Sequence, residues 1–184
     1  MKHKGTIHIE TNRLILRKFD LNDIEPAFRN WTSNNEVTKF LRWPAHKDIS
    51  VTKAVFRDWI ENYKSNSFYQ WAIVLKSLNE PIGSIGVIDL DEKTDKVHIG
   101  YCIGSNWWNK GYTSEALSAI IEFLFNQVKV QRIEAQHDPN NPSSGKVMQK
   151  CGLKYEGTLR KADWNNQGIV DACMYSIIDK EYNK

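Results

Sequence analysis

Along residues 97 to 103 the chain alternates bulky with small or polar positions. Val97, Ile99, Tyr101 and Ile103 stand against His98, Gly100 and Cys102. A period of two predicts a strand with one core-facing side and one nearly bare side. Glycine inside a strand marks a place where another backbone or a ligand comes close. From residue 112 or 113 the period changes. Leu117, Ile120, Ile121, Leu124 and Val128 recur at helical spacing, with Glu115, Ser118, Glu122 and Asn126 as a polar stripe. This predicts an amphipathic helix. Ser105 to Gly111 forms the turn between the two elements.

The flanking pattern follows the same grammar. Residues 9 to 19 read as a first strand. Asp20 is placed to cap a helix over 21 to 31, with Pro26 an awkward residue inside it. Residues 36 to 41 suit a short helical turn and 42 to 46 a loop. Asp48 or Ser50 then caps a helix reaching about Tyr63, with Val51, Val55 and Trp59 on one side. Residues 68 to 75 and 82 to 90 read as strands joined by a hairpin turn at Asn79-Glu80-Pro81. A second turn at 91 to 95 leads into the strand at 97. After the amphipathic helix, 131 to 136 is a short strand. Asn141 is an N-cap, Pro142 a first helical residue and Gly152 a C-terminal cap for a helix over 142 to 151. Residues 154 to 160 and 169 to 178 close the chain as two strands separated by a polar loop. Two early helices, a meander and an alternating second half predict a mixed α/β sheet with helices on both faces. No repeat or linker divides it, so residues 1 to 184 are expected to form a single domain.

Composition narrows the class. With 184 residues, 41% hydrophobic and 26% charged, the chain suits one soluble folded domain. Its net charge of +3 is too small to argue for nucleic-acid binding. No apolar run approaches a membrane span, and the N-terminal residues lack the apolar stretch of a secretory signal. Three cysteines with no metal spacing suggest free thiols in a reducing compartment. A cytoplasmic protein without a bound metal is expected.

The turn at 105 to 111 is the chemical centre of the sequence. Unpaired amides and partial positive charge make a helix N-terminus an anion site. Gly111 permits close backbone approach, Lys110 adds a cation, and Thr113 and Ser114 add hydroxyls. The same grammar also describes an ordinary strand–helix connection. The window Trp108-Asn109-Lys110-Gly111-Tyr112-Thr113 resembles the acetyl-coenzyme A motif of the GNAT acetyltransferases, Gln/Arg-x-x-Gly-x-Gly/Ala. It departs in carrying Trp108 and Thr113 at the first and last positions. IGYCIGSNWWNKGYTSEAL, with Asn141-Pro142-Ser143-Ser144 and VMQKCGLKYEGTLR beyond it, is similar to the RimJ/RimL subgroup, which acetylates protein N-termini.

That resemblance implies acetyl transfer from acetyl-CoA directly to an amine. It places coenzyme contacts at Cys102, Ile103, Trp108, Asn109, Lys110, Gly111, Tyr112, Thr113, Ser114, Asn141 and Ser144. Backbone N–H groups around Cys102 and Ile103 are the implied carbonyl donors, and Ser144 the group near the coenzyme sulfur. His98, on the bare strand face, is the candidate general base, because an imidazole titrates near neutral pH. A lone strand histidine is as readily structural, and a water chain is the alternative. Tyr155 is a second candidate acid. Cys102 has no adjacent base and reads as buried rather than nucleophilic. Trp43, Tyr69 and Trp71, with His46 and Trp164, are candidate acceptor-groove residues; Asp89 and Glu36 are carboxylates able to attract an amine. The expected acceptor is a protein or peptide N-terminal amine, with a polyamine or antibiotic as runner-up. A silent acyl-CoA sensor and a homodimer remain open alternatives.

Overall fold

The computed structural model describes residues 1–182. Eight strands form one sheet in the order β1-β2-β3-β4-β5-β6-β8-β7. They are β1 (Ile9–Glu10), β2 (Leu14–Arg17), β3 (Gln70–Leu75), β4 (Glu80–Asp91), β5 (Lys96–Ile103), β6 (Arg132–His137), β7 (Lys154–Asn165) and β8 (Gly168–Ile178). The helices are α1 (Ile24–Ala27), α2 (Asn35–Thr38), α3 (Ile49–Asn62), α4 (Tyr112–Phe123), α5 (Pro142–Lys150) and α6 (Asp179–Tyr182). Every ladder is antiparallel except β5 with β6.

Helices cover both faces. On one, Leu117, Ile120 and Ile121 of α4 are fully buried with Val97, Ile99, Ile133 and Ala135. On the other, Phe19, Trp31 and Phe56 form a second cluster over Ala72 and Val74. No helix among the described residues is long and apolar enough to cross a membrane.

Several boundaries differ from the sequence reading, each for a local reason. The first strand is a hairpin, because the Thr11 hydroxyl accepts from the Leu14 amide at 3.0 Å and turns the chain between β1 and β2. The helix over 21 to 31 is composite: a 3₁₀ turn at Leu21–Asp23, then α1, then a π-helical segment at Phe28–Thr32. Pro26 falls in the first turn of α1, where a missing N–H costs little. The β3–β4 turn falls at 76 to 79, with Asn79 left-handed at φ 53°. Pro81 instead lies inside β4, beside a register shift between Ile73 and Val74 where a missing donor is tolerated. The final loop is shorter than expected, since β7 runs on to Asn165.

The feature that positions the site is a parting of strands. β5 pairs β6 only through Lys96↔Arg132, Val97↔Ile133 and His98↔Glu134. Beyond that point β5 stays with β4 as far as Ile103, while β6 stays with β8 as far as His137. The sheet therefore splits into a V whose vertex is His98 and Glu134.

Candidate active site

A cleft of about 540 Å³ opens in the V. The end of β5 (Tyr101, Cys102, Ile103) and Trp107, Trp108, Asn109, Gly111, Thr113 and Ser114 line one side; Asn140 to Ser144, Lys146, Val147 and Lys150 line the other. Glu36, Val37, Phe40 and Leu41 close its outer end. The sequence-predicted coenzyme residues thus converge, with two qualifications. Lys110 and Tyr112 do not line the cleft. Tyr112 instead lies under the Arg13 guanidinium, 4.4 Å from its ring centre.

Alternation decides which β5 amide serves the cleft. Gly104 N–H donates to the Ile82 carbonyl on β4 at 2.8 Å. Successive residues point their backbone groups to opposite edges. The amide of Cys102 therefore belongs to the β4 ladder, while that of Ile103 faces the open edge. Of the two implied carbonyl donors, only Ile103 is aimed into the V. The Ile103 carbonyl on that edge accepts from Trp108 Nε1 at 2.9 Å. Trp108, 42% exposed, thus lies along the strand edge at the mouth.

The turn before α4 is held by a residue nearly a hundred positions away. Arg13 Nη1 donates to the Lys110 carbonyl at 3.0 Å, and Arg13 Nε donates to Glu115 Oε2 at 2.7 Å. Glu115 also accepts from the Arg13 amide and the Thr11 hydroxyl, which hold its carboxyl below the usual range against the opposing effect of burial. Gly111 is left-handed at φ 79°. A Cβ there would stand 3.5 Å from Arg13 Nη2 and 3.9 Å from Lys150 Nζ. Two cations thus converge over a bare backbone at a helix start, which suits the pyrophosphate and phosphate groups of a coenzyme A. Nothing near Gly111 in the sequence announces Arg13.

Ser144 lies in the cleft beside Tyr101. Gly145 brings α5 this close, since a Cβ would stand 2.5 Å from His137 Nε2. Asn141 precedes α5 as expected, but its side chain makes no capping bond. Asp138 holds the loop before the helix, accepting from the Asn140 amide and from Asn165 Nδ2, each at 2.8 Å. Cys102 is half-buried against Ser84, and desolvation pushes its thiol up.

His98 does not line the cleft. Its ring lies on the opposite face of β5 from Tyr101, at the vertex, with Nδ1 3.6 Å from Glu134 Oε1. Glu134 also meets Lys96 Nζ and Arg132 Nε, each at 3.0 Å. Burial pushes the imidazole below 6.5, and Glu134 partly opposes this.

Of the three aromatic residues expected to line the acceptor groove, Tyr69 and Trp71 are too deeply buried to do so. Tyr69 and Trp71 are core: Trp71 Nε1 donates to the Ile7 carbonyl at 2.7 Å, and the Tyr69 hydroxyl accepts from the Lys4 amide at 3.2 Å. Strand alternation put both on the inner face, and the N-terminal segment supplies their polar partners. Trp43 packs beside His46 and against the second cluster, outside the cleft. His46 bonds the Thr52 hydroxyl through Nδ1 at 2.8 Å. Tyr155 is 54% exposed on β7 and bonds the Thr158 hydroxyl at 2.7 Å, which removes it as an acid for this cleft. Trp164 is exposed on the final hairpin. The sequence reading missed Tyr101, Val37, Phe40, Leu41, Val147 and Lys150, whose only signal is tertiary.

Residues 13–154 match the family model described as an acetyltransferase (GNAT) domain. The chain belongs to the GNAT acetyltransferase family. It is 31% identical over 172 residues to an uncharacterised N-acetyltransferase, p20, of Bacillus licheniformis, covering 94% of this chain and 96% of that one. Two shorter likenesses have named substrates. The L-amino acid N-acetyltransferase AaaT of Escherichia coli is 34% identical over 88 residues, 46% of this chain and 54% of that one. The ribosomal protein uS5-alanine N-acetyltransferase of the same organism is 37% identical over 60 residues, 33% of this chain and 31% of that one. The GNAT chain is an N-acetyltransferase whose family uses acetyl-CoA.

Proposed function

We propose that this enzyme transfers an acetyl group from acetyl-CoA directly to an α-amine, with a protein or peptide N-terminus as the leading acceptor. One observation carries the site: β5 and β6 part immediately beyond His98 and Glu134, opening a slot that runs back to the Gly111 cradle. The acceptor class rests on the two relatives named for an alanine of uS5 and for L-amino acids, which share an α-amino group. The AaaT likeness also supports a free amino acid as a second reading.

Acetyl-CoA supplies the activated acyl group and a thiolate leaving group. In the proposed mechanism the cradle amides, Arg13 and Lys150 hold its phosphates. The Ile103 amide donates toward the acyl oxygen, where negative charge develops. Ser144 donates toward the sulfur. The amine arrives from the other face, past His98, which takes its proton through one bound water. The Cys102 thiol is half-buried against Ser84 and pushed up, so the proposed mechanism is direct transfer without an acyl-enzyme. The unpaired thiols suit a cytoplasmic setting.

The test is calorimetric titration with acetyl-CoA, then free-thiol release with alanine-first peptides, free amino acids and polyamines. Release with the first two and not the third supports the α-amine reading. Binding with no turnover on any amine would favour a silent sensor, and polyamine preference would overturn the acceptor class.

His98 makes a pH prediction. Its folded value lies below 6.5, and the neutral ring is the active form. The acid limb of the rate should therefore lie at a lower pH than an ordinary imidazole would give, with the rate level once the ring is neutral. His98→Ala should lower kcat about 100-fold, at the weak end of general-base effects, and abolish that acid limb. An unchanged limb in the variant would sink the assignment.

A further inference from the structure

Tyr101 enters the cleft from β5, directly opposite α5. Its hydroxyl lies 2.9 Å from Ser144 Oγ and 3.0 Å from the Ser144 carbonyl oxygen. A phenol carries one proton, so two arrangements exist. In the first, Tyr101 donates to the carbonyl and the Ser144 hydroxyl donates to the phenol oxygen. The pair is then closed on itself, and Ser144 offers nothing to the cleft. In the second, Tyr101 donates to Ser144 Oγ, and the Ser144 proton is free to point into the cleft. An electron-rich atom in the cleft selects the second.

We propose that Tyr101 is a positioning residue: its phenol donates to the Ser144 hydroxyl and so aims the Ser144 proton at the coenzyme sulfur. This rests on the reading of Ser144 as the partner of that sulfur. Tyr101 orients and does not itself give up a proton. Burial pushes the phenol up, so it stays protonated at any working pH. The proton balance is complete without it. The attacking amine forms the new C–N bond and loses one proton. The C–S bond breaks with its electron pair going to sulfur, the amine's proton leaves through the water to His98 and on to solvent, and the departing thiolate takes a proton from solvent. Ser144 stabilises the sulfur charge in passing and keeps its own hydrogen. The same geometry explains a tyrosine on the core-facing side of β5, where Val97, Ile99 and Ile103 are aliphatic.

The test needs no acceptor amine. The ionisation of the coenzyme A thiol is followed by thiolate absorbance in complexes with the wild type, Ser144→Ala, Tyr101→Phe and the double variant. The bound thiol of the wild type should be more acidic than that of free coenzyme A. Each single variant should raise its pKa by about one unit, a tenfold change in thiolate at a given pH. The double variant should do no more than either single one, because both act through one hydrogen bond. Calorimetry with coenzyme A and a melting curve establish that Tyr101→Phe is folded. Tyr101→His, which keeps an N–H donor, serves as a second variant and should recover part of the acidity. A shift in Ser144→Ala with none in Tyr101→Phe overturns the proposal and leaves Ser144 in place. No shift in either removes Ser144 from the sulfur and the proposal with it. Additive shifts also overturn it, since they would mean independent contacts.

Discussion

A Gly111→Trp variant should lose acetyl-CoA binding at least about 100-fold while keeping its fold. Two effects act together. Gly111 is left-handed at φ 79°, a region that side chains other than glycine enter at a cost of about 1–2 kcal/mol. The indole would also extend toward Arg13 and Lys150, whose cations stand 3.5 and 3.9 Å from the position of a Cβ. It would fill the space in which they and the first amides of α4 meet a phosphate, and it would part Arg13 from the Lys110 carbonyl it holds. A loss of 100-fold corresponds to about 2.7 kcal/mol, the scale of one or two charge-assisted hydrogen bonds. Calorimetry gives the affinity, and circular dichroism with a melting curve checks the fold. A folded variant with wild-type affinity would show that the cradle holds nothing. Gly111→Ala separates the two effects, since it imposes the backbone strain with little of the bulk and should weaken binding far less.

The second large effect falls on stability. Trp71→Ala should destabilise the protein by about 3–5 kcal/mol. Trp71 is completely buried, stacks on Tyr69 at 5.9 Å and meets Phe123 of the α4 layer edge-on at 5.7 Å. Its indole N–H donates to the Ile7 carbonyl at 2.7 Å, and removing it strands that acceptor under the N-terminal segment. Chemical denaturation should show a lower midpoint at an unchanged slope, with coenzyme affinity intact below the transition. A stable Trp71→Ala variant with a raised KM for the amine would return Trp71 to the acceptor groove and overturn its place in the core.

The contrast between these two residues shows what a single sequence carries. Gly111 and its surroundings form a local signal: a turn, a glycine and a helix start are written within ten residues, and the structure places Trp108, Asn109, Gly111, Thr113 and Ser114 on the cleft. Ser144 was legible only through the family resemblance of the Asn141–Ser144 segment. Trp71 has no such signal. A tryptophan in an alternating strand reads equally well as a groove lining or as a core anchor, and only the neighbouring layer decides which.

What the sequence by itself determined is therefore periodic or local. Period-two alternation set β5 with its two unlike faces, and period 3.6 set α4 with its buried Leu117, Ile120 and Ile121. The run from 97 to 114 and the Asn141–Ser144 pair were enough to identify the family. Only the tertiary structure decided how distant residues meet. It brought Arg13 across to hold the turn before Gly111. It set the Tyr101 hydroxyl against Ser144 and put His98 on the far face, at the vertex with Glu134. The physical reason is that backbone propensity and side-chain period act over a few residues, whereas an active site depends on register between strands and on the approach of layers. Here that register is the three-residue pairing of β5 with β6. Where it ends the V opens, and no stretch of either strand read alone says where that is.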